Sequence, residues 1–210
     1  MDELDLLKKD WERKSFKQVS ESEIYKMIHR KSSSIVKWIL IISILEVLLW
    51  TGVGLISSAD DYLKPYSHDG ILIVLKVVGW FNYAVVLVFI YLFYKNYVTI
   101  SATSSTRKLM KDILKTRKTV KYYVWYNLVM VALSFIAGLW LALYYSDNGI
   151  LLREKMEHET RIMWLTLALL LGVVALAVFI FWLFYRLLYG ILLRKLLANY
   201  RELKKIDFEN

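Results

Sequence analysis

The sequence contains no cysteine and only one proline among its 210 residues. Without cysteine, the chain cannot form disulfides, thiolate metal sites or iron–sulfur ligation, and it has no thiol nucleophile. The single proline and only eight glycines leave few points at which a helix must break. These absences exclude thiol chemistry and favour long, uninterrupted helices.

Hydrophobic residues make up 58% of the chain, and they are concentrated in four blocks instead of being spread as narrow stripes. Each block is long enough to cross a hydrocarbon layer of about 30 Å at about 1.5 Å per residue. The sequence therefore predicts an all-α fold, a four-helix transmembrane bundle. The predicted spans cover residues 35–57, 71–94, 122–145 and 162–189.

The net charge of +9 is distributed unevenly. Of the 28 Lys and Arg residues, 23 fall in residues 1–37, 95–121 and 186–210, which lie on one side of the predicted spans. Because short basic connections stay cytoplasmic, we expect an N-in, C-in protein of the cytoplasmic (inner) membrane. The lipid bilayer, with its anionic headgroups at the cytoplasmic face, is then the expected partner, and no nucleic acid is needed to explain the charge.

The N-terminal segment, residues 1–34, has two helical patterns before the first span. Leu4, Leu7 and Trp11 fall on one helical face. A second helix is expected from Ser20, which begins the Ser-x-x-Glu pattern of a capping box. Residues 1–34 are therefore predicted to be a cytoplasmic amphipathic helical segment, either continuous with the first span or separate from it.

Two further segments outside the membrane domain at 35–189 show helical apolar spacing. The basic inner loop 95–121 has eight Lys and Arg residues and one carboxylate, and its second half reads as a basic amphipathic helix. The tail 190–210 continues the apolar period of the fourth span as a cytoplasmic helix. Seven basic residues of the loop are the expected contacts with lipid or a partner: Arg107, Lys108, Lys111, Lys115, Arg117, Lys118 and Lys121.

A weak internal repeat links the two halves of the chain. Leu49 and Trp50 recur ninety positions later as Leu139 and Trp140, and a Val-Phe-Ile run of the second span recurs in the fourth at the same offset. A duplicated hairpin with parallel halves explains these matches. Chance explains them too, because apolar spans use few residue types.

Four polar residues within or beside the spans form the expected intramembrane site. A charged carboxylate at mid-bilayer is unfavourable by roughly 2.5–3.5 kcal/mol, so Glu46 should face the bundle, carry a proton or have a partner. Lys76 matches it in charge, and Asn82 or Asn127 could bond a neutral carboxyl group. A contact that fixes helix pairing, a proton or ion pathway, and a binding pocket or oligomer contact are the three interpretations.

Aromatic residues gather near the span ends, which is typical of side chains at the level of the headgroups. We expect these rings to lie at the membrane interface: Trp38, Tyr94, Tyr97, Tyr122, Tyr123, Trp125, Tyr144, Tyr145, Trp164, Tyr185 and Tyr189.

Catalytic signatures are missing from the sequence. Its three histidines, His29, His68 and His158, all lie outside the predicted spans. No phosphate-binding, dinucleotide-binding or kinase-like motif occurs. We therefore expect a protein that is not an enzyme and that holds no cofactor or metal.

The residues 1–11 and the run IYKMIHRKSSSIVKW at 24–38 resemble a group of uncharacterised bacterial four-span membrane proteins. Some members of that group carry the label carotene monooxygenase. Membrane enzymes that cleave carotenes use histidines within the membrane, and the predicted spans have none. The resemblance implies a four-span fold over the whole chain and brings no site residues with it.

Three function hypotheses follow. The leading one is a membrane scaffold or regulatory protein that docks a cytoplasmic protein partner, another copy as a homo-oligomer, or anionic lipid. The alternative is a small transporter or proton-coupled channel that uses Glu46. The third is a membrane enzyme that acts on an apolar substrate.

Overall fold

The computed structural model describes residues 20–56 and 70–208, and these residues are almost entirely helical, with no strand among them. Four of the five helices are long and apolar enough to cross a membrane. The predicted all-α, four-helix transmembrane fold is therefore confirmed. The helices are α1 (Glu21–Ile56), α2 (Ile71–Ala102), α3 (Thr106–Tyr145), α4 (Asp147–His158) and α5 (Thr160–Phe208).

The four long helices exceed what a membrane requires. Crossing the hydrocarbon layer takes about 20 residues, whereas α1 has 36 residues and α5 has 49. The extra turns lie where α1 and α3 begin and where α2 and α5 end. This end of the bundle is called the basic end below, because it carries most of the Lys and Arg residues, and the opposite end is called the distal end.

The structure divides the chain differently from the sequence prediction. The helix α1 runs unbroken through residue 34, so the second predicted helix and the first span are one element. Of the predicted inner loop 95–121, only residues 103–105 are non-helical, since α2 ends at Ala102 and α3 begins at Thr106. The predicted helical tail is the end of α5. The helices continue because their apolar stripes outside the membrane are buried in the same bundle.

Two sequence predictions lie outside the described residues. They are the first amphipathic helix, with Leu4, Leu7 and Trp11, and most of the connection between the first two spans. The predicted capping box is confirmed. The Glu23 amide donates to Ser20 Oγ at 3.3 Å, and the Ser20 amide donates to Glu23 Oε2 at 3.3 Å. This exchange satisfies amide groups that the first turn of α1 would otherwise leave unpaired.

Two contiguous cores fill the bundle. The core of the basic end consists of Ile28, Val36, Ile100, Leu109, Ile113, Leu196 and Leu203. The core of the membrane part consists of Ile39, Val86, Phe93, Val120, Tyr123, Tyr185 and Tyr189. Hydrogen bonds cross between helices at the basic end: Asn199 donates to Ser32 Oγ at 3.0 Å, and the Tyr25 hydroxyl donates to the carbonyl of Thr103 at 3.0 Å. The helices thus stay packed together beyond the membrane part.

The two hairpins of the predicted repeat differ in structure. The second hairpin contains α4 between its two long helices. The matched residues Phe89 and Phe179 have different surroundings, since Phe89 packs against Tyr123 while Phe179 is 56% exposed. The duplication of a hairpin therefore stays a prediction.

The chain reverses sharply between α3 and α4. Ser146 ends α3, and its Oγ accepts a hydrogen bond from the amide of Gly149 at 3.1 Å, which caps α4. A Cβ atom at Gly149 would overlap the backbone carbonyl oxygen of Ala142. Only glycine fits this close approach of two backbones.

We therefore expect Gly149→Ala to lower the free energy of unfolding by about 1–3 kcal/mol, because backbone atoms must move to admit the methyl group. Thermal unfolding in detergent micelles measures the change. Gly79→Ala is the matched control, since a Cβ there meets nothing within 4 Å. Equal stability of the two variants would contradict the tight corner.

Candidate functional site

The carboxylate of Glu46 lies inside the bundle, with 8% of the side chain exposed. Glu46 lies about 14 Å along α1 from Lys37 and about 15 Å from the last residue, Ile56. A carboxylate so far from water needs hydrogen-bond donors, a cation or a proton. The surrounding side chains show which of these the protein supplies.

Three tyrosine hydroxyls donate to the two oxygens of Glu46. Tyr123 and Tyr189 donate to Oε2 at 2.8 and 3.2 Å, and Tyr185 donates to Oε1. All three tyrosines are buried. Together with Glu46 they form what is called the Glu46 cluster below. Because Tyr123 belongs to α3 and the other two belong to α5, the cluster ties three helices together.

The helical spacing explains why these side chains meet. Tyr185 and Tyr189 are four residues apart, so they share one face of α5, and their rings stack at 6.1 Å. Tyr123 meets Tyr189 edge-on at 5.8 Å from the neighbouring helix. On its other side, the ring of Tyr123 contacts Phe93 of α2 at 5.3 Å. The apolar parts of the rings thus shield the polar contact from lipid.

The partners predicted for Glu46 lie elsewhere. Lys76 is exposed on α2. Asn82 accepts a hydrogen bond from the Tyr126 hydroxyl at 2.9 Å, and Asn127 donates to the backbone carbonyl of Tyr123 at 2.9 Å. The expected polar site therefore does not converge as a unit. Only Asn127 comes near the Glu46 cluster, since it is bonded to the backbone of one of its tyrosines.

The sequence interpretation of the three tyrosines as rings that face the headgroups was wrong, because all three are buried inside the bundle. A signal for their true position was present in the apolar spacing. Tyr189 and Tyr185 extend the stripe that Leu203 and Leu196 form on α5, and Tyr123 extends the stripe of Val120 on α3. Residues on a stripe that is buried at the basic end remain on the inward face one or two turns later.

The Glu46 cluster is enclosed by apolar side chains along the bundle axis. Towards the basic end, Ile39, Phe93 and Val120 are each 0% exposed. Towards the distal end, the ring of Trp50 on α1 contacts Phe181 on α5 at 5.7 Å. The cluster is thus a polar group surrounded by apolar residues. Its geometry suits helix pairing, because three hydroxyl donors bond the two oxygens of Glu46 and no cation is needed.

The seven basic residues that were predicted to contact lipid or a partner all lie on α3, and they fall into two groups. Six of them are exposed: Arg107, Lys108, Lys111, Lys115, Lys118 and Lys121. Arg117 is half-buried, and its Nε is buried without a hydrogen-bond partner among the described residues. The carboxylate in this region, Asp112, accepts a hydrogen bond from the Thr103 hydroxyl at 3.1 Å. Most of the basic charge therefore faces outwards.

A double-mutant cycle tests the Glu46 cluster. Tyr185→Phe removes one donor from the carboxylate, so we expect the free energy of unfolding to fall by about 1–2 kcal/mol. In a Glu46→Leu background, the same change should have almost no effect, since the hydroxyl has already lost its acceptor. Reversible unfolding in micelles measures each corner of the cycle.

The control for this cycle is Tyr94→Phe, whose ring is 54% exposed and which should leave stability unchanged. The assignment is contradicted if Tyr185→Phe lowers stability equally in both backgrounds.

Comparison with known proteins identifies the family of this chain but no individual relative. No curated protein and no solved structure matches the chain. A family model described as a domain of unknown function, DUF8845, matches residues 22–208, which include the Glu46 cluster and almost all of the basic end. An uncharacterised family agrees with the resemblance inferred from the sequence, and the match does not bear on a bacterial origin or on the monooxygenase label. The chain belongs to the family of the domain of unknown function DUF8845.

Proposed function

We propose that this protein is a non-enzymatic scaffold of the cytoplasmic membrane whose basic end lies in the cytoplasm and binds an acidic protein surface. The orientation rests on the charge distribution, since 18 of the 22 Lys and Arg residues that the structure describes belong to segments at this end. Basic segments next to spans are retained in the cytoplasm during insertion. The N- and C-termini are then both cytoplasmic.

The distance by which the basic end extends beyond the membrane supports a soluble partner. Tyr122 and Trp125 are 58% and 71% exposed on α3 and suit the edge of the hydrocarbon, next to the headgroups. Lys111 and Lys108 lie about 16 and 21 Å further along α3. The potential of a lipid surface decays within about 8–10 Å at moderate salt, so headgroups alone do not account for charge at that distance.

The close packing of the basic end is the main observation that supports the proposal. Leu109, Ile113, Leu196 and Leu203 are each 0% exposed, which is the packing of a soluble four-helix bundle. A protein that only anchors itself in a membrane has no need of a packed projection. A rigid projection with an exposed basic stripe is instead suited to hold a partner at a fixed height and orientation.

The charge of the exposed stripe indicates the kind of partner. Lys108, Lys111, Lys115 and Lys118 are all exposed on α3. Asp112 is the one carboxylate between residues 95 and 121, and it accepts a hydrogen bond from the hydroxyl of Thr103, just after the end of α2. The surface potential of this stripe is therefore positive and complementary to an acidic patch.

The transport alternative gains less support from the geometry. A pathway through Glu46 needs polar groups that lead away from it in both directions. Towards the basic end, Ile39, Phe93 and Val120 close the bundle without exposure to solvent. If a second copy of the chain or a lipid occupies the stripe instead, the crosslinking experiment below would show it as the crosslinked product.

A photo-crosslinking amino acid at Leu114 tests the proposal in native membranes, since Leu114 is 43% exposed beside the stripe. We expect one cytoplasmic protein with an acidic surface to be crosslinked, and raised salt should abolish the product. Lys108→Glu with Lys111→Glu should reduce the product by about tenfold through charge repulsion.

Lys26→Glu with Lys31→Glu is the matched control, because it makes the same change in charge on the exposed face of α1 and should preserve the product. Crosslinks to lipid or to a second copy alone would overturn the proposal. An equal loss in both double variants would also overturn it, because net charge and not the stripe would then be responsible.

A further inference from the structure

Arg117 is the unusual cation of the basic end. Its Nε is buried and has no hydrogen-bond partner among the described residues. On α3, Arg117 falls seven residues from Met110 and from Val124, so all three share one face. Met110 and Val124 are partly buried against the two cores. Arg117 therefore lies on a face of α3 that is partly covered by apolar side chains.

The exposed aromatic rings of α3 indicate the height of Arg117 relative to the headgroups. The exposed aromatic rings of Tyr122 and Trp125 suit the edge of the hydrocarbon. Arg117 lies five residues before Tyr122, about 7.5 Å towards the basic end. The headgroup layer on each side of a bilayer is about 5–7 Å thick, so the phosphates fall within reach of this side chain.

The neighbouring helix α5 supplies a second cation at the same height. The contact between Tyr123 and Tyr189 at 5.8 Å fixes the register of the two antiparallel helices. Six residues before Tyr123 is Arg117, and five residues after Tyr189 is Arg194. The Nε of Arg194 donates to the carbonyl of Gly190 at 3.3 Å, which turns the side chain towards the membrane along α5.

Among residues 20–56 and 70–208, no carboxylate is bonded to Arg117 or Lys121. Lys121 is exposed one turn after Arg117 on α3, so a third cation stands on the same side. Asp112 accepts a hydrogen bond from Thr103 in the connection between α2 and α3. The carboxylate of Glu46 is satisfied by its three tyrosines. An anion from outside the protein can therefore accept hydrogen bonds from the terminal nitrogens of the Arg117 guanidinium group.

We propose that the groove between α3 and α5 binds the phosphate of one anionic phospholipid, with Arg117 as the buried ligand and Lys121 and Arg194 as outer ligands. The planar guanidinium group donates two parallel hydrogen bonds to phosphate oxygens. Basic pockets between transmembrane helices at the cytoplasmic side bind anionic headgroups in this way. The acyl chains lie along the exposed apolar face of α5 that includes Leu183 and Leu187.

This lipid site is separate from the proposed docking stripe. At about 100° per residue, Lys108 and Lys115 lie on nearly the opposite side of α3 from Arg117. A lipid at the groove and a protein at the stripe can therefore be bound together. The two proposals also fail independently, because the lipid site requires no protein partner.

Native mass spectrometry of the protein in detergent tests the lipid site with dioleoyl phosphatidylglycerol as the probe and dioleoyl phosphatidylcholine as the neutral comparison. We expect one phosphatidylglycerol to be retained per protomer, with little phosphatidylcholine. Arg117→Gln should weaken retention by about tenfold or more, since a charge-assisted pair is lost. Lys115→Gln, on the other side of α3, is the matched control and should retain the lipid.

Two further arms make the result decisive. Inorganic phosphate in excess should not displace the lipid, because the acyl chains contribute to binding; displacement would assign the site to a free anion instead. Arg194→Gln should weaken retention less than Arg117→Gln, and it replaces that variant if Arg117→Gln does not fold. Equal retention by the wild type and the folded variants, or equal binding of both lipids, would overturn the proposal.

Discussion

The unfavourable free energy of burying one carboxylate, that of Glu46, in hydrocarbon determines how the helices of the membrane part pack. A buried Glu46 needs hydrogen-bond donors, a cation or a proton, and three tyrosine hydroxyls supply donors. Each hydroxyl must lie within about 3 Å of a carboxylate oxygen, which leaves little freedom in how α1, α3 and α5 are rotated and shifted. The remaining long helix, α2, joins through ring contacts, because its Phe93 packs against Tyr123.

The position of the basic end follows from this register. Since the long helices run on without a break, a shift of one helix at the Glu46 cluster would also misplace Ser32 against Asn199. The two sets of contacts therefore support each other over the length of the bundle. The proposed docking stripe and lipid site occupy different sides of α3, so the same helix can face a soluble partner and a lipid at once.

Much of the fold could be predicted from the sequence, because hydrophobic length and the location of basic residues are properties of single segments. The four spans, the cap at Ser20 and the helical tail are of this kind. The partners of Glu46 could not be predicted in the same way, since they depend on how separate helices meet. Lys76 matched in charge but lies on an exposed face of α2.

The three tyrosines show where the argument from residue type fails. Tyrosine near a span end is usually interfacial, and that general tendency outweighed the helical spacing that places Tyr185 and Tyr189 with buried Leu196. The second half of the predicted inner loop shows the opposite case, because there the helical spacing of Leu109, Ile113 and Val120 was used, and these residues are buried on α3. In both places the periodicity of apolar residues indicates the buried face.

Access of water to the Glu46 cluster tests the account most directly. The chain has no cysteine, so a single cysteine introduced at Ser43, which is 0% exposed and one turn before Glu46, can be labelled without background. A dry helix contact predicts that Ser43→Cys resists a membrane-impermeant maleimide added from either side of the membrane, whereas Lys111→Cys reacts readily when the reagent is added on the side of the basic end. Labelling of position 43 at the rate of an exposed thiol would show a hydrated cavity and contradict the account.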